Sequence, residues 1–401
     1  EGFHEYFALR ISKLASRLKK AQAGVFAPPS GADTVVFRSE GYLFSVTAGE
    51  LIKRKPVTCS PYHEITSVAK KPQTLFEAAA AIFVITQEDI RRSGATSIPE
   101  ALRIAPGVQV ARIDANKWAI TIRGFNDRFA NKLLVLIDGR SVYTPLFSGV
   151  YWDVQDVMLE DIDRIEVIRG PGAALWGANA VNGVINIITK RAQETQGGLL
   201  TAGGGTEERG FGSLRYGTKL GEETSYRVYA KYVTRDNAVD ASGEDAHDAW
   251  SIWHAGFRLD WEGLDHHSLT FQGDVYNEDL AEELITPIPQ PPYNLVVDND
   301  ADVSGANMLA RWSHDFSESS EMIVQFYFDW YERNYRVLYD EVHHTLDLDF
   351  QHQFAAGTRQ DLIWGLEYRV VHDDITNTPI MSFDPQSRND QLFSSFIHDD
   401  I

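Results

Sequence analysis

Residues 164–190 read RIEVIRGPGAALWGANAVNGVINIITK, and this stretch decides the fold of the chain. It holds two apolar runs of strand type, at 165–168 and 184–188, separated by a segment with four glycines, one proline and two asparagines. Proline fixes φ and the glycines beside it leave φ free, so Gly170-Pro171-Gly172 must turn the backbone sharply. The pattern alone predicts two strands joined by a turn-rich connection.

Four further motifs precede this stretch: ITQEDIRRSG at 85–94, IPEALRIAPGVQV at 98–110, ITIRGF at 120–125 and LLVLIDGR at 133–140. Together they resemble the plug domain of TonB-dependent outer-membrane receptors, without a gap from about residue 67 to residue 190. The resemblance implies an α+β plug domain followed by a transmembrane antiparallel β-barrel. It also implies the outer membrane of a Gram-negative bacterium as the location, and transport rather than enzymatic activity.

Local signals place the elements of the plug. Residues 82–86 predict a strand, and Thr86 with Asp89 three residues later predicts a capped helix over 87–93 that ends at Gly94. Thr96 or Ser97 can cap a second helix that runs to about residue 103. Residues 108–113, 119–122 and 133–137 predict further strands.

The charge of the chain changes near residue 192. The net charge is −20, and residues 193–401 carry 38 acidic against 13 basic residues. Such a shift predicts a domain boundary and argues against nucleic acid as a partner, because phosphate needs basic surface. We therefore expect an N-terminal extension and linker at 1–62, with a basic amphipathic stretch at 6–20. A TonB-box-like segment and plug then follow at 63–192, and the first part of the barrel at 193–401.

Neither disulfide nor helical membrane span is predicted. Cys59 is the single cysteine, and no run of about 18 apolar residues exists. The motifs show no activated serine, no metal-ligand cluster of fixed spacing and no phosphate-binding loop. We expect no cofactor, no resident metal and no catalytic residues.

The barrel half shows strands of period two, in which apolar residues alternate with polar or charged ones. The strands of a soluble sandwich would show the same alternation of apolar and polar residues. The lengths of the connections separate the two folds, because short and long connections alternate along the chain, as in outer-membrane barrels. The short ones lie near 221, 263, 317 and 357, and the longer ones at 236–248, 278–303, 334–343 and 373–390. This favours a membrane barrel of about ten strands from residue 198 onwards. The receptor family uses 22, so we expect an incomplete barrel, present as a fragment.

Two groups of polar residues in this half have weaker functional interpretations. Asp298, Asp300 and Asp302 could bind calcium, although a solvated acidic loop is the better interpretation. The histidines are expected to be solvated on polar strand faces or in loops; they are His247, His254, His266, His267, His343, His344, His352 and His372.

Three sets of candidate functional residues follow from the resemblance. The TonB interaction is assigned to Ile65, Thr66, Ser67 and Val68, with an ordinary loop strand as the alternative. Ligand contact is assigned to plug loops that combine aromatic and polar groups, with packing against the barrel as the alternative; the residues are Asn116, Lys117, Trp118, Phe125, Asn126, Arg128, Phe129, Tyr143, Phe147, Tyr151 and Trp152. Locking of plug to barrel is assigned to Arg123, Glu166 and Arg169, since a buried charge needs a partner.

The implied function is TonB-dependent uptake of a scarce nutrient, with a ferric siderophore or other iron complex as the expected ligand. The implied partners are TonB, this small molecule and outer-membrane lipid, and a monomer is expected. The alternatives are import of cobalamin or an oligosaccharide, a signalling or adhesion receptor, and a soluble carbohydrate-binding or hydrolytic β-protein.

Overall fold

The computed structural model describes residues 34–39, 42–47, 64–68, 70–71, 73–74, 78, 80–263, 266–357 and 360–400. The amphipathic stretch expected at 6–20 lies outside these residues. The described chain forms a small mixed sheet with short helices and one large, mainly antiparallel sheet.

The plug is built on a five-stranded sheet, in which the strands at 82–86, 162–169, 183–189, 133–137 and 140–141 lie side by side in that order. The elements are β3 Glu64–Ile65, β4 Gln73–Thr74, β5 Ile82–Thr86, α1 Gln87–Ser93, α2 Ile98–Leu102, β6 Val108–Arg112, β7 Trp118–Ile122, β8 Leu133–Ile137, β9 Arg140–Ser141, β10 Ile162–Arg169, α3 Ala173–Trp176 and β11 Gly183–Thr189. The predicted strands and the first two helices are confirmed, and α3 was not predicted.

The two helix starts form as their sequences require. The Thr86 hydroxyl accepts from the Asp89 backbone N–H at 3.1 Å, and the Asp89 carboxylate accepts from the Thr86 N–H at 3.0 Å. Gly94 ends α1 with φ 73°, a left-handed conformation that favours glycine. Ser97 rather than Thr96 caps α2.

The stretch that decides the fold forms the centre of the plug sheet. Strands β10 and β11 pair antiparallel, with Ile165 opposite Ile187, while β11 runs parallel to β8. The sheet is covered on both faces: Ile165 and Ile187 belong to the large core with α1 and α2, whereas Val184 packs in a second cluster. Gly183 is required here, because a Cβ would lie 2.5 Å from the Ile168 carbonyl oxygen.

The large sheet holds the ten antiparallel strands that the alternation predicts. They are β12 Gly197–Gly203, β13 Gly210–Leu220, β14 Thr224–Arg235, β15 Trp250–Glu262, β16 His267–Leu280, β19 Ala301–Ser317, β20 Ser320–Tyr335, β21 Asp340–Ala355, β22 Asp361–Thr376 and β23 Ser387–Asp400. A separate hairpin, β17 Glu283–Pro287 with β18 Asn294–Asp298, occupies one long connection. The first edge carries an unpredicted hairpin, β1 Thr34–Ser39 with β2 Tyr42–Thr47, in which β1 pairs parallel to β12.

Short and long connections alternate along most of this sheet. One end has the links 221–223, 263–266, 318–319 and 356–360, and the other end has the long links 236–249, 281–300 and 377–386. The long connection predicted at 334–343 is wrong. Strands β20 and β21 continue further than their alternation suggested, which leaves only 336–339 between them.

The two faces of the large sheet differ in polarity as a membrane barrel requires. Phe326 and Leu348, which pair across β20 and β21, are 43 % and 49 % exposed on the outer face. On the same strands Gln325 and Asp347 are buried on the inner face. A soluble sandwich would instead hide the apolar face in its core. Among the described residues, no helix is long and apolar enough to cross a membrane.

We predict that Leu348→Arg destabilises the barrel in phospholipid vesicles by about 2–4 kcal/mol, because a charge on the lipid face loses its hydration. Urea unfolding followed by tryptophan fluorescence measures the change. Leu348→Ala is the matched control, and equal stability of the two variants would show that this face does not meet lipid.

Candidate functional site

The inner face of the barrel meets charged residues of the plug. Asp138, in the turn between β8 and β9, is buried and accepts hydrogen bonds from the Thr189 N–H and from Gln272 Nε2, both at 2.8 Å. The Arg258 guanidinium of β15 lies 3.9 Å away. Burial opposes ionisation of Asp138, but Arg258 and these hydrogen bonds lower its pKa below the ordinary value.

Four more plug charges pair with the barrel in the same way. Asp161 forms ion pairs with Arg215 and with Arg227, the latter at 3.4 Å. The other pairs are Asp153 with Arg333, Arg140 with Asp329, and Asp156 with Lys231. The most enclosed of these guanidinium groups belongs to Arg333, which is 1 % exposed and lies 3.7 Å from the centre of the Tyr151 ring.

The residues assigned to locking make other contacts. Glu166 is fully buried and pairs with Arg164 of its own strand at 2.7 Å. Arg169 donates to the Pro106 carbonyl at 3.3 Å, and Arg123 lies beside Gly170. These contacts stay within the plug, so a locking role for Arg123, Glu166 and Arg169 remains a prediction. The ion pairs that do cross from plug to barrel were not predicted from the sequence. The alternation of polar and apolar residues along the barrel strands was the one sequence feature that pointed to them.

The segment assigned to the TonB interaction is docked on the plug. Glu166 accepts the backbone N–H groups of Thr66 and Ser67, at 3.1 Å and 2.8 Å from Oε2. Trp176 Nε1 donates to the Ser67 carbonyl at 2.7 Å, and Ile65 is fully buried. Val68 packs against the second core cluster. In this state the N–H groups of Thr66 and Ser67 and the carbonyl of Ser67 are already hydrogen-bonded.

The first plug loop is packed against the barrel connections. Asn116 is fully buried, and its side-chain amide donates to the carbonyls of Asp248 and Ala281 at 3.0 Å and 3.2 Å. Lys117 Nζ lies 2.8 Å from Asp114 and 3.2 Å from Glu282. Trp118 is also buried. This state fits the packing alternative for all three residues, and their role in ligand contact remains a prediction.

The second and third loops are more open. Phe125 is 76 % exposed and Asn126 is exposed. Phe129 stacks on Phe147 with ring centres 5.1 Å apart, and Arg128 lies 3.7 Å from Glu282. Six predicted residues are at least partly accessible, namely Phe125, Asn126, Arg128, Phe129, Tyr143 and Phe147, whereas Tyr151 and Trp152 are buried.

A groove of about 780 Å³ opens among the barrel strands and the connections between them. Its lining includes Arg235, Trp250, Asp300, Tyr335 and Arg336. This volume is within the usual range of small-molecule sites, about 300–1,000 Å³. The groove could not be predicted from the sequence, because its lining comes from six separate strands and the connections between them.

The acidic triplet at 298–302 has a histidine and an arginine as neighbours. His247 Nε2 lies 3.0 Å from Asp300 Oδ1 and 3.7 Å from Asp298, and Arg336 lies 3.2 Å from Asp300 Oδ2. Two of the three carboxylates are therefore paired with side chains of the protein.

Residues 74–184 match the family model described as TonB-dependent Receptor Plug Domain. This segment of the chain therefore belongs to the plug domain family of TonB-dependent receptors. Proteins with this plug domain are transport receptors of the Gram-negative outer membrane rather than enzymes.

Two curated relatives are named Vitamin B12 transporter BtuB. The protein of Vibrio vulnificus (strain CMCP6) is 33 % identical over 148 residues, which cover 36 % of this chain and 23 % of that protein. The protein of Vibrio cholerae serotype O1 (strain M66-2) is 34 % identical over 151 residues, which cover 37 % and 24 %. The chain thus matches about a quarter of the length of these relatives.

Two solved structures from Pseudomonas aeruginosa share the fold. A mutant of the ferric enterobactin receptor PfeA superposes with a TM-score of 0.62 at 18 % identity, over 80 % of this chain and 55 % of that one. The ferripyoverdine receptor bound to ferripyoverdine superposes with a TM-score of 0.64 at 16 % identity, over 92 % and 55 %. These likenesses confirm the plug followed by barrel strands, and the large sheet here is an open series of strands rather than a closed barrel.

We predict that Arg333→Met lowers the free energy of unfolding by about 3–5 kcal/mol, because the buried Asp153 carboxylate loses its partner. Chemical denaturation of the receptor in detergent measures this change in the free energy of unfolding. Arg388→Met is the control; Arg388 is exposed and pairs with Asp390, so its loss costs about 1 kcal/mol or less. Equal effects of the two substitutions would contradict a buried interface pair.

We predict that Asp138→Asn weakens the acid sensitivity of the receptor. The folded pKa of Asp138 is lowered, so its stabilisation is full above the unfolded pKa of about 4 and is lost as the pH falls through the folded pKa. Unfolding measured across this pH window should therefore show a shallower slope in the variant than in the wild type. Asp390→Asn is the exposed control, and an unchanged slope in Asp138→Asn would refute the assignment.

Proposed function

We propose that this receptor carries out TonB-dependent active uptake of a ferric siderophore or another iron complex across the outer membrane. The observation that supports it best is a plug whose charges face an inner barrel wall of opposite charges. Such an interface keeps solutes out at rest and, being polar, can be hydrated when the plug shifts.

Energy input is proposed to act through residues 65–68. Strand addition relies on main-chain hydrogen bonds, and the Thr66 and Ser67 N–H groups are bonded to Glu166. The segment must therefore leave Glu166 before TonB can pair with those groups. Glu166, which sequence reasoning placed at the barrel wall, would then hold the segment in its resting position.

Ligand contact is proposed at the groove and the accessible plug loops. The groove lining combines the aromatic rings of Trp250 and Tyr335 with the guanidinium groups of Arg235 and Arg336, which pair with Glu208 and Asp300 in this state. An anionic iron chelate would compete with these carboxylates for the guanidinium groups. Phe125, Asn126, Arg128, Phe129, Tyr143 and Phe147 are the proposed plug contacts.

Cobalamin is a second candidate ligand. Both curated relatives reported above are vitamin B12 transporters by name, at 33 % and 34 % identity over the aligned part. We also propose that outer-membrane lipid surrounds the apolar outer face of the barrel strands and that the receptor is a monomer.

Growth assays separate the two ligands. The complete gene is expressed in a strain that lacks its own iron-chelate and cobalamin receptors. The proposal expects rescue of growth when iron is supplied as ferric siderophores. Rescue of cobalamin-dependent growth alone would favour the second candidate, and rescue by neither would contradict uptake of both.

We predict that Thr66→Pro abolishes uptake without abolishing ligand binding at the cell surface. Proline removes the backbone N–H that strand addition needs and leaves the groove intact. Uptake and binding of radiolabelled ferric siderophore are measured on the same cells, with Thr66→Ala as the control that keeps the N–H. Wild-type uptake by Thr66→Pro would contradict the assignment of the segment.

A further inference from the structure

A buried side-chain cluster under the plug loops is used by none of the contacts described so far. Glu341 and His343 of β21 and Asp373 of β22 are 0 %, 2 % and 6 % exposed. Glu341 and His343 are two residues apart and so point to the same face, and His343 lies directly opposite Asp373 in the sheet register. The solvated role expected for His343 is therefore wrong, because the plug covers this inner face; the same holds for the buried His254.

The three side chains converge on one point. One imidazole nitrogen and one oxygen of each carboxylate all lie within 4.8 Å of one another. A tetrahedral Zn²⁺ site with bonds near 2.1 Å places its ligands about 3.4 Å apart. Small rotations of the side chains would close the cluster around an ion without moving the paired strands.

Neighbouring groups orient these donors. The Nδ1 atom of His343 contacts the Asp373 carboxylate, and its Nε2 atom lies 2.9 Å from Thr345 Oγ1. Metal-binding histidines are held in this way, with one nitrogen on the ion and the other on a hydrogen-bond partner. The Tyr331 ring stacks on His343 with centres 4.6 Å apart, and its hydroxyl donates to Glu341 Oε1 at 2.7 Å.

The charge of the cluster favours a cation. Two buried carboxylates share one imidazole, and Arg333, the guanidinium close to them, is paired with Asp153. Buried carboxylates are costly unless they are paired or coordinate a metal. One nitrogen and two oxygen donors suit a borderline divalent ion, with water completing four ligands.

We propose that Glu341, His343 and Asp373 form a binding site for a divalent transition-metal ion of the Zn²⁺ class. The site lies between the barrel and the plug, because the Tyr151 hydroxyl of the plug donates to Glu341 Oε2 at 3.3 Å. An ion at Glu341 therefore acts on a carboxylate that also contacts the plug, which links occupancy of the site to the seating of the plug loop at 144–153.

Calorimetric titration with Zn²⁺ tests the site on the receptor purified in detergent and stripped with a chelator. The wild type should bind one ion, and His343→Gln should weaken Zn²⁺ binding by about 100-fold or more. Loss of a residue that only hydrogen-bonds to a metal ligand already lowers metal affinity by about 10–100-fold, and His343 is itself a proposed ligand. His344→Ala is the matched control: His344 is the next residue on the same strand and points to the opposite face. Its affinity should equal that of the wild type.

Co²⁺ gives a second readout that does not depend on heat. A low-coordinate Co²⁺ site absorbs strongly in the visible region, so the wild type and His344→Ala should share a band that His343→Gln and Asp373→Asn lose. Thermal melts of each variant without metal identify any that fail to fold, and Thr345→Ala, which keeps all three donors, should bind about tenfold more weakly. Absence of one-to-one binding in the wild type, or wild-type affinity in folded His343→Gln and Asp373→Asn, would overturn the proposal.

Discussion

Pairing of buried charges between the plug and the inner barrel wall is the constraint on which the rest of the structure depends. The outer face of the strands is apolar, so their polar residues must point inward, where Arg258 and Arg333 are buried and the Arg215 side chain is 11 % exposed. A buried charge without a partner costs several kcal/mol. The plug supplies Asp161, Asp138 and Asp153 at the matching positions, which fixes its register inside the strands.

This kind of interface also suits a plug that has to move. Apolar contact would make any opening expose a large hydrophobic surface, whereas ion pairs and hydrogen bonds can be replaced by water. Apolar packing is concentrated instead within the plug itself and under its loops, where Trp118 and Tyr151 join barrel residues such as Trp250. The plug can thus stay folded as a unit while its contacts with the wall change.

Local features of the fold could be predicted from the sequence, and long-range ones could not. The Thr86–Asp89 cap with Gly94 and the alternation of the strands depend on neighbours a few residues away, and the structure confirms them. The Asp153–Arg333 pair joins residues 180 positions apart. Sequence shows that each charge needs a partner but not which one. For this reason the sequence could not show that Glu166 contacts residues 66–67, or that His343 lies on a surface that the plug covers.

A double-mutant cycle on Asp161 and Arg215 tests the central claim most directly, with Asp161→Asn, Arg215→Gln and the double variant compared by chemical unfolding. Seating of the plug by buried ion pairs predicts a coupling energy of about 1–3 kcal/mol between the two residues. A coupling energy near zero, with both single variants folded, would show that the plug is not held against the barrel wall by this pair and would contradict the account.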